Sequence, residues 1–158
     1  MSLIHQKLYQ SDSLKVIDMK AYLAEFIAYL RESFGSPENI HIILNIDEIE
    51  LDVSQAIPVG LILNEAVNNA FKYAFPNGRD GEIAVSMSKT GSRITLVIKD
   101  NGVGIQQDLN AEPGSLGLEL MHGLAKDIKG DIKFENNQGT NVTLGFMLNS
   151  IGAINNAA

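Results

Sequence analysis

Apolar residues recur at three- and four-residue steps at Met19, Tyr22, Leu23, Phe26, Ile27 and Leu30, which is the period of an amphipathic helix. Asp18 precedes the run as a cap, and Gly35 with Pro37 closes it. The period then shortens. His41 to Ile46 is rich in β-branched residues and reads as a strand, followed by a turn at Asp47-Glu48 and a short edge strand near Glu50 to Val53. From about Ser54 to Ala74 the pattern is helical again, with Leu63, Ala66, Val67, Ala70, Phe71 and Ala74 on one stripe. Pro58 is tolerable in the first turns, and Phe75-Pro76-Asn77-Gly78 ends the helix.

Glu82 to Met87 and Arg93 to Lys99 predict a β-hairpin turning at Thr90-Gly91. A glycine-rich stretch from Asp100 to Gly117 interrupts the pattern. Leu118, Leu120, Met121, Leu124, Ala125 and Ile128 then mark a helix closed by Gly130. Asp131 to Glu135 and Thr140 to Leu148 form a last hairpin, and the tail from Asn149 offers so little to bury that it is expected to fray. Helices alternating with antiparallel hairpins, without strict βαβ units, predict an α+β two-layer sandwich with helices on one face of the sheet.

Composition narrows the chemistry. Hydrophobic residues at 45% and charged residues at 20% describe a globular domain. Nineteen acidic against twelve basic side chains, a net charge of -7 with no basic cluster, argue against nucleic acid as a partner. The absence of cysteine removes disulfides, thiolate metal sites and thiol nucleophiles, and is compatible with a cytoplasmic setting. Apolar runs stop well short of the roughly 18 residues that a membrane span needs, so no membrane contact is expected of this piece. His5, His41 and His122 are scattered and lack the spacing of a helical zinc pair, so each reads as a surface or boundary residue.

Four segments carry candidate chemistry. On the second helix Glu65, Asn69, Lys72 and Tyr73 are three or four residues apart and line one flank, away from the apolar stripe. A carboxylate, an amide, an ammonium and an aromatic ring there suit a base, a magnesium ligand, a phosphate contact and a base-facing surface. A solvated polar face would look the same. After the strand ending at Lys99, Asp100-Asn101-Gly102-Val103-Gly104-Ile105 combines an acidic acceptor with paired glycines that let backbone approach a flat ligand, although a plain turn has the same composition. Gln107 stands where a dinucleotide fingerprint wants a third glycine, so that reading is set aside. Gly114-Ser115-Leu116-Gly117-Leu118 runs into a helix whose first amides suit an anionic phosphate, or whose Ser115 is simply a cap. Residues 106–113 between the two would then be a mobile lid. Gly139-Thr140 opens the last strand, from which a hydroxyl can reach a ligand only if that strand lies beside the one ending at Asp100. The phosphate loop of Gly-x-x-x-x-Gly-Lys-Ser/Thr form is absent.

In this order and spacing the four segments resemble the GHKL ATPase superfamily of gyrase, heat-shock chaperones, mismatch-repair proteins and histidine kinases. Asn64 to Tyr73 is similar to its N box, Asp100 to Ile105 to its first glycine box, Gly114 to Leu118 to its second, and Gly139-Thr140 to the threonine that ends the site. Ile57 to Glu65 and Lys72 to Pro76 further resemble sensor kinases of the HisKA_2 and HWE type, over about residues 5 to 148.

The resemblance implies a catalytic domain, residues 18–148, that binds ATP with Mg2+ and transfers the γ-phosphoryl group to a histidine. By it Asn69 ligates magnesium, Lys72 contacts phosphate, Tyr73 faces the adenine and Asp100 binds its amino group. Gly102, Gly104, Ile105, Gly114, Ser115, Leu116, Gly117, Leu118 and Thr140 surround the nucleotide, and Glu65 orients or deprotonates the imidazole. Residues 1–17 would be the trailing part of a dimerisation and phosphoacceptor region or a linker, 149–158 a disordered tail. Implied partners are a helical hairpin of the same full-length protein carrying the acceptor, a second copy of the parent, and a response regulator. Two departures stand out. The lid is short and has no phenylalanine-bearing box, and the acceptor helix belongs upstream of Leu8-Tyr9-Gln10, so His5 lies outside the acceptor motif. A nucleotide-gated interaction module and a serine kinase of the anti-sigma type share the same site, and an ATPase of the gyrase type is disfavoured by acidic charge and the lack of a transducer domain.

Overall fold

The computed structural model describes residues 16–104 and 116–149. Asp18 caps the first helix as its position predicts, its Oδ1 accepting from the N–H groups of Lys20 at 3.1 Å and Ala21 at 3.4 Å. That helix, α1 (Met19–Ser33), buries all six residues of its predicted stripe and ends where Gly35 turns with a φ of 79°. The strand β2 (Ile40–Ile46) follows, then β3 (Glu50–Asp52) leads directly into α2 (Val53–Asn69). After a π-helical turn (Ala70–Ala74) and a 3₁₀ turn (Pro76–Gly78) come the hairpin β4 (Gly81–Thr90) and β5 (Arg93–Asp100). Helix α3 (Leu116–Asp127) and the hairpin β6 (Asp131–Asn136) and β7 (Thr140–Met147) complete the described chain.

One five-stranded sheet is ordered β2-β4-β5-β7-β6. All neighbours are antiparallel except β2 and β4. Alternation decides which face is buried: Ile83, Val85 and Met87 of β4, Ile94, Leu96 and Ile98 of β5, and Val142, Leu144 and Phe146 of β7 all point to the helix layer and are almost fully buried. The expected α+β two-layer sandwich is therefore the observed one, and its sheet is mixed and mostly antiparallel.

Three features differ from the sequence reading. The parallel pair β2 and β4 is joined by a crossover through α2, a βαβ-like unit that the turn signals did not reveal, because β3 is interposed. Residues 50–52 do form a strand, not at the edge of the main sheet but in a separate two-stranded ribbon with β1 (Val16–Asp18), which has too few residues to show a period. The third is the π turn: the second helix was expected to run on to Ala74, yet its α-helical register stops at Asn69.

Two buried polar groups fix α2 in place. Tyr22 of α1 lies against Gly60, where a Cβ would collide with its hydroxyl, and burial pushes that phenol up to about 12. Gln55, 3% exposed, donates to the Met147 carbonyl at 2.8 Å and accepts from the Asn149 N–H at 3.1 Å. The chain leaving β7 is thereby bound to the first turn of α2.

Candidate functional site

The C-terminal end of β5 is the centre of the site. Asp100 belongs to the same alternating set as Ile94, Leu96 and Ile98, so its carboxylate faces the helix layer at the position where another apolar side chain would continue the core. Burial raises its pKa above the ordinary carboxylate value, opposed by hydrogen bonds from the N–H groups of Gly102 and Thr140 and by the charge of Arg79. Both hydrogen bonds fall on Oδ1, at 2.9 Å from Gly102 and 3.2 Å from Thr140.

Two glycines make this closeness achievable. Gly139 has a φ of 126°, and a Cβ there would collide with the Asp100 carbonyl oxygen, so only glycine lets β7 start so near the end of β5. Gly102 is buried against Ala74, whose carbonyl oxygen and Cβ would both meet an added Cβ. The neighbouring Val103 N–H donates to that same Ala74 carbonyl at 3.0 Å. The first glycine segment is thus docked on the end of the π turn and tied to the start of β7, which brings three of the four sequence segments together. The proviso on Thr140 is met, since β7 pairs with β5, and the contact that forms uses its backbone N–H.

The fourth segment reaches the others through α3, which packs on α2. Glu65, half-buried on α2, lies with its carboxylate against Gly117 in the first turn of α3, so that a side chain at Gly117 would displace it. Leu118 is 5% exposed and anchors the same turn in the core. Leu116 opens the helix, while Ile105, Gly114, Ser115 and the expected lid at 106–113 lie outside the described residues, as do His5 and residues 150–158. Gly104 has a φ of 78° and approaches the Asn136 side chain. His41 and His122 are exposed, His122 edge-on to Phe134.

Asn69 is half-buried at the last α-helical position, whereas Lys72 and Tyr73 stand in solvent on the π turn, Tyr73 with 69% of its surface exposed. A π turn closes i to i+5, so Lys72 and Tyr73 leave the helical register of Glu65 and Asn69, and the straight i, i+4 stacking read from sequence does not hold. Two tertiary contacts stabilise the wide turn: Phe71 stacks on Phe34 with ring centroids 4.7 Å apart, and the Ala74 carbonyl is taken by Val103.

Sequence reasoning missed Asn101 as a structural clamp. Its Oδ1 accepts from the Glu82 N–H at 2.8 Å and its own N–H donates to the Glu82 carbonyl at 3.2 Å, so it continues the β4–β5 pairing beyond Asp100. An amide at the second position of an Asp-Asn-Gly turn was the available signal.

Residues 40–146 match the histidine kinase-like ATPase domain. The chain belongs to that family. Residues 1–34 also match the HisKA_2 histidine kinase profile, which makes this histidine kinase-like ATPase domain a GHKL catalytic domain of the HisKA_2/HWE type of sensor kinase. It is similar to blue-light-activated histidine kinase 2 of Erythrobacter litoralis, 24% identical over 120 residues that cover 75% of this chain and 34% of that protein. It is also similar to the sensor histidine kinase/phosphatase LytS of Staphylococcus aureus, 32% identical over 117 residues, 72% of this chain and 20% of that one. The chain thus spans about a third or less of these relatives. Among solved structures, the histidine kinase domain of the Erythrobacter litoralis blue-light activated kinase superposes with a TM-score of 0.76 at 23% identity, covering 84% of this chain and 62% of that one. The catalytic domain of histidine kinase ThkA gives 0.70 at 17% identity, covering 84% and 94%. These likenesses establish the fold.

Proposed function

We propose that this histidine kinase-like ATPase domain binds ATP with Mg2+ and transfers the γ-phosphoryl group to a histidine imidazole on a helical hairpin of the full-length protein. The observation that carries this reading is the Asp100 carboxylate, half-buried at the end of β5 and held on Oδ1 by two backbone N–H groups. That leaves Oδ2 as the atom to accept from the exocyclic amine of adenine. The backbone around it is fixed by close packing, since an added Cβ at Gly102 would meet Ala74 and one at Gly139 would meet the Asp100 carbonyl.

Magnesium fits the donor set in one mode only. Among the described residues no group of three or more His, Asp or Glu is placed to hold a metal ion. A cation bound mainly by phosphate oxygens and water needs just one protein oxygen, which the half-buried Asn69 amide at the α–π junction supplies. Such a cation would neutralise phosphate charge as the γ-phosphoryl group moves.

The remaining roles follow position. Exposed Lys72 pairs with phosphate, and Tyr73 covers the adenine when nucleotide is bound. Gly104, Ile105 and the Gly114 to Leu118 segment surround the phosphates, with the amides of the first α3 turn favouring negative charge, and Thr140 fixes the adenine-facing carboxylate. In the transfer the bond from γ-phosphorus to the ADP oxygen breaks as an imidazole nitrogen bonds to phosphorus, and the imidazole proton passes to Glu65. We assign residues 18–148 to the catalytic unit, 1–17 to the end of the acceptor region or a linker that joins the unit through β1, and 149–158 to a tail anchored at Asn149. The partners are the acceptor hairpin, a second copy of the parent and a response regulator.

The test is incubation with γ-labelled ATP of this chain alone, of the hairpin alone, and of both. Label is expected only in the mixture, on the hairpin, slowly because docking is bimolecular, and labile to acid as phosphohistidine is. Acid-stable label on serine or threonine would refute histidine transfer.

A further inference from the structure

We propose that Arg79 is a positioning residue of this site, bracing the Asp100–Gly104 turn through Asn101 and holding a positive charge beside the Asp100 carboxylate. The role deepens the nucleotide-binding reading and rests on it for its functional weight. Arg79 follows the Phe75-Pro76-Asn77-Gly78 segment, which in the sequence serves only to stop a helix. In the fold that segment is a 3₁₀ turn with positive φ at Asn77 (61°) and Gly78 (72°), and it reverses the chain to deliver Arg79 beside the end of β5.

The backbone of Arg79 is fixed on both sides. Its N–H donates to the Pro76 carbonyl at 3.2 Å, and its carbonyl accepts from the Asn39 Nδ2 at 2.8 Å. Asn39 is itself tied to β4, its carbonyl accepting from the Gly81 N–H at 2.8 Å. From this mount the guanidinium donates from Nη2 to the Asn101 carbonyl at 3.2 Å. Asn101 is the residue whose side chain clamps Glu82, so Arg79 holds the carbonyl of the residue that ties the turn to β4.

The same guanidinium opposes the desolvation of Asp100 and lowers its carboxyl toward the ionised form. The other titratable residues on the surrounding elements are Glu82 on β4, Lys99 at the neighbouring position of β5, and Glu65, Lys72 and Tyr73 on the α2–π segment, and none of them enters the balance at Asp100. Among the described residues Arg79 is the one whose charge favours the ionised carboxylate. A carboxylate that must accept from an amine only works ionised, so Arg79 extends the working range of Asp100 to lower pH.

Titration of the Asp100 carboxyl carbon by NMR, in the nucleotide-free full chain, reads this role without any ligand. Wild type, Arg79→Ala and Arg79→Lys are compared, with ADP affinity measured alongside by calorimetry from pH 5 to 8. Arg79→Ala is expected to move the Asp100 midpoint upward, to weaken ADP several-fold, and to shift the acid loss of ADP binding upward by the same interval. Arg79→Lys should restore the midpoint in part, because it keeps charge while losing the fixed hydrogen bond. Thermal melting close to wild type is expected, since Arg79 is exposed. An Asp100 midpoint unchanged in Arg79→Ala would overturn the role. Failure of wild type to bind ADP would instead refute the nucleotide-binding reading, and the NMR titration would still decide the placement of Arg79's charge.

Discussion

Thr140 and Asp100 are 40 residues apart in sequence, yet the Thr140 N–H lies 3.2 Å from the Asp100 Oδ1. One bond joins the start of the last strand to the end of the strand beside it. The carboxylate is therefore aimed before any ligand arrives, and side-chain ordering need not be supplied by binding.

Asp100→Asn separates aiming from recognition. The amide oxygen can still accept from Gly102 and Thr140, but the nitrogen then meets the adenine amine donor to donor, and flipping the amide only moves the mismatch to the backbone. ADP affinity should fall about ten- to a hundredfold, the scale of one lost hydrogen bond to a charged group. Calorimetry with ADP and with inosine diphosphate, which carries an acceptor where adenine carries the amine, reads this directly. Wild-type affinity for ADP in the variant would remove Asp100 from adenine recognition.

The same substitution has the opposite sign in stability. Because the folded-state pKa of Asp100 is raised, the native state favours its proton. Its contribution is most favourable below the unfolded carboxylate value and is lost as pH rises through the folded one. At pH 7 Asp100→Asn should melt at or above the wild-type temperature, and that advantage should disappear below about pH 4. Melting curves across this range check it, and a variant less stable at pH 7 than at pH 4, relative to wild type, contradicts it.

Much of this was legible in the chain. The apolar stripes of α1 and α2, the Asp18 cap and both hairpins are local patterns, and local patterns survive folding. The four candidate segments stand out for the same reason, since each is a short run of glycine or polar residues beside a strong apolar signal, and Gly114 and Ser115 among them lie outside the described residues. What escaped depends on contacts distant in sequence. The π turn at Ala70 to Ala74 exists because Phe34 and Val103 reach it, and neither announces itself in the helix it distorts. The three-residue β1 has no period to read, and Arg79 acts through a backbone carbonyl, which composition never shows.

Glycine substitutions should sort by place. Gly139→Ala meets both positive φ and the Asp100 carbonyl, costing about 1–3 kcal/mol from backbone strain before the collision is counted. Gly123→Ala, on an exposed turn of α3 with nothing within 4 Å of an added Cβ, should instead stabilise by about 0.5–1 kcal/mol. Urea unfolding distinguishes the two, and equal effects would mean that the close approach of β7 to Asp100 is not maintained in solution.

Asn69→Ala should remove the magnesium dependence of ATP binding while leaving adenosine affinity within about twofold, since the amide is assigned to the cation and not to the base. Paired titrations with and without Mg2+ measure this. Loss of adenosine binding would show that Asn69 holds the adenine side of the ligand.

The β1–β3 ribbon and the Gln55 clamp have a mechanical consequence. Val16 pairs with Asp52 at the start of α2, and Asn149 is bound by Gln55 in its first turn, so both leads of the domain attach at one pole of a single helix. Asn69 terminates the other pole, a rod of about 25 Å away at 1.5 Å per residue. A pull or twist on either lead is therefore delivered first to the base of α2. Part of that load can travel along the rod as a rigid-body tilt and part along α1, and the two routes meet where Phe34 stacks on Phe71 of the π turn, the least regular part of the rod.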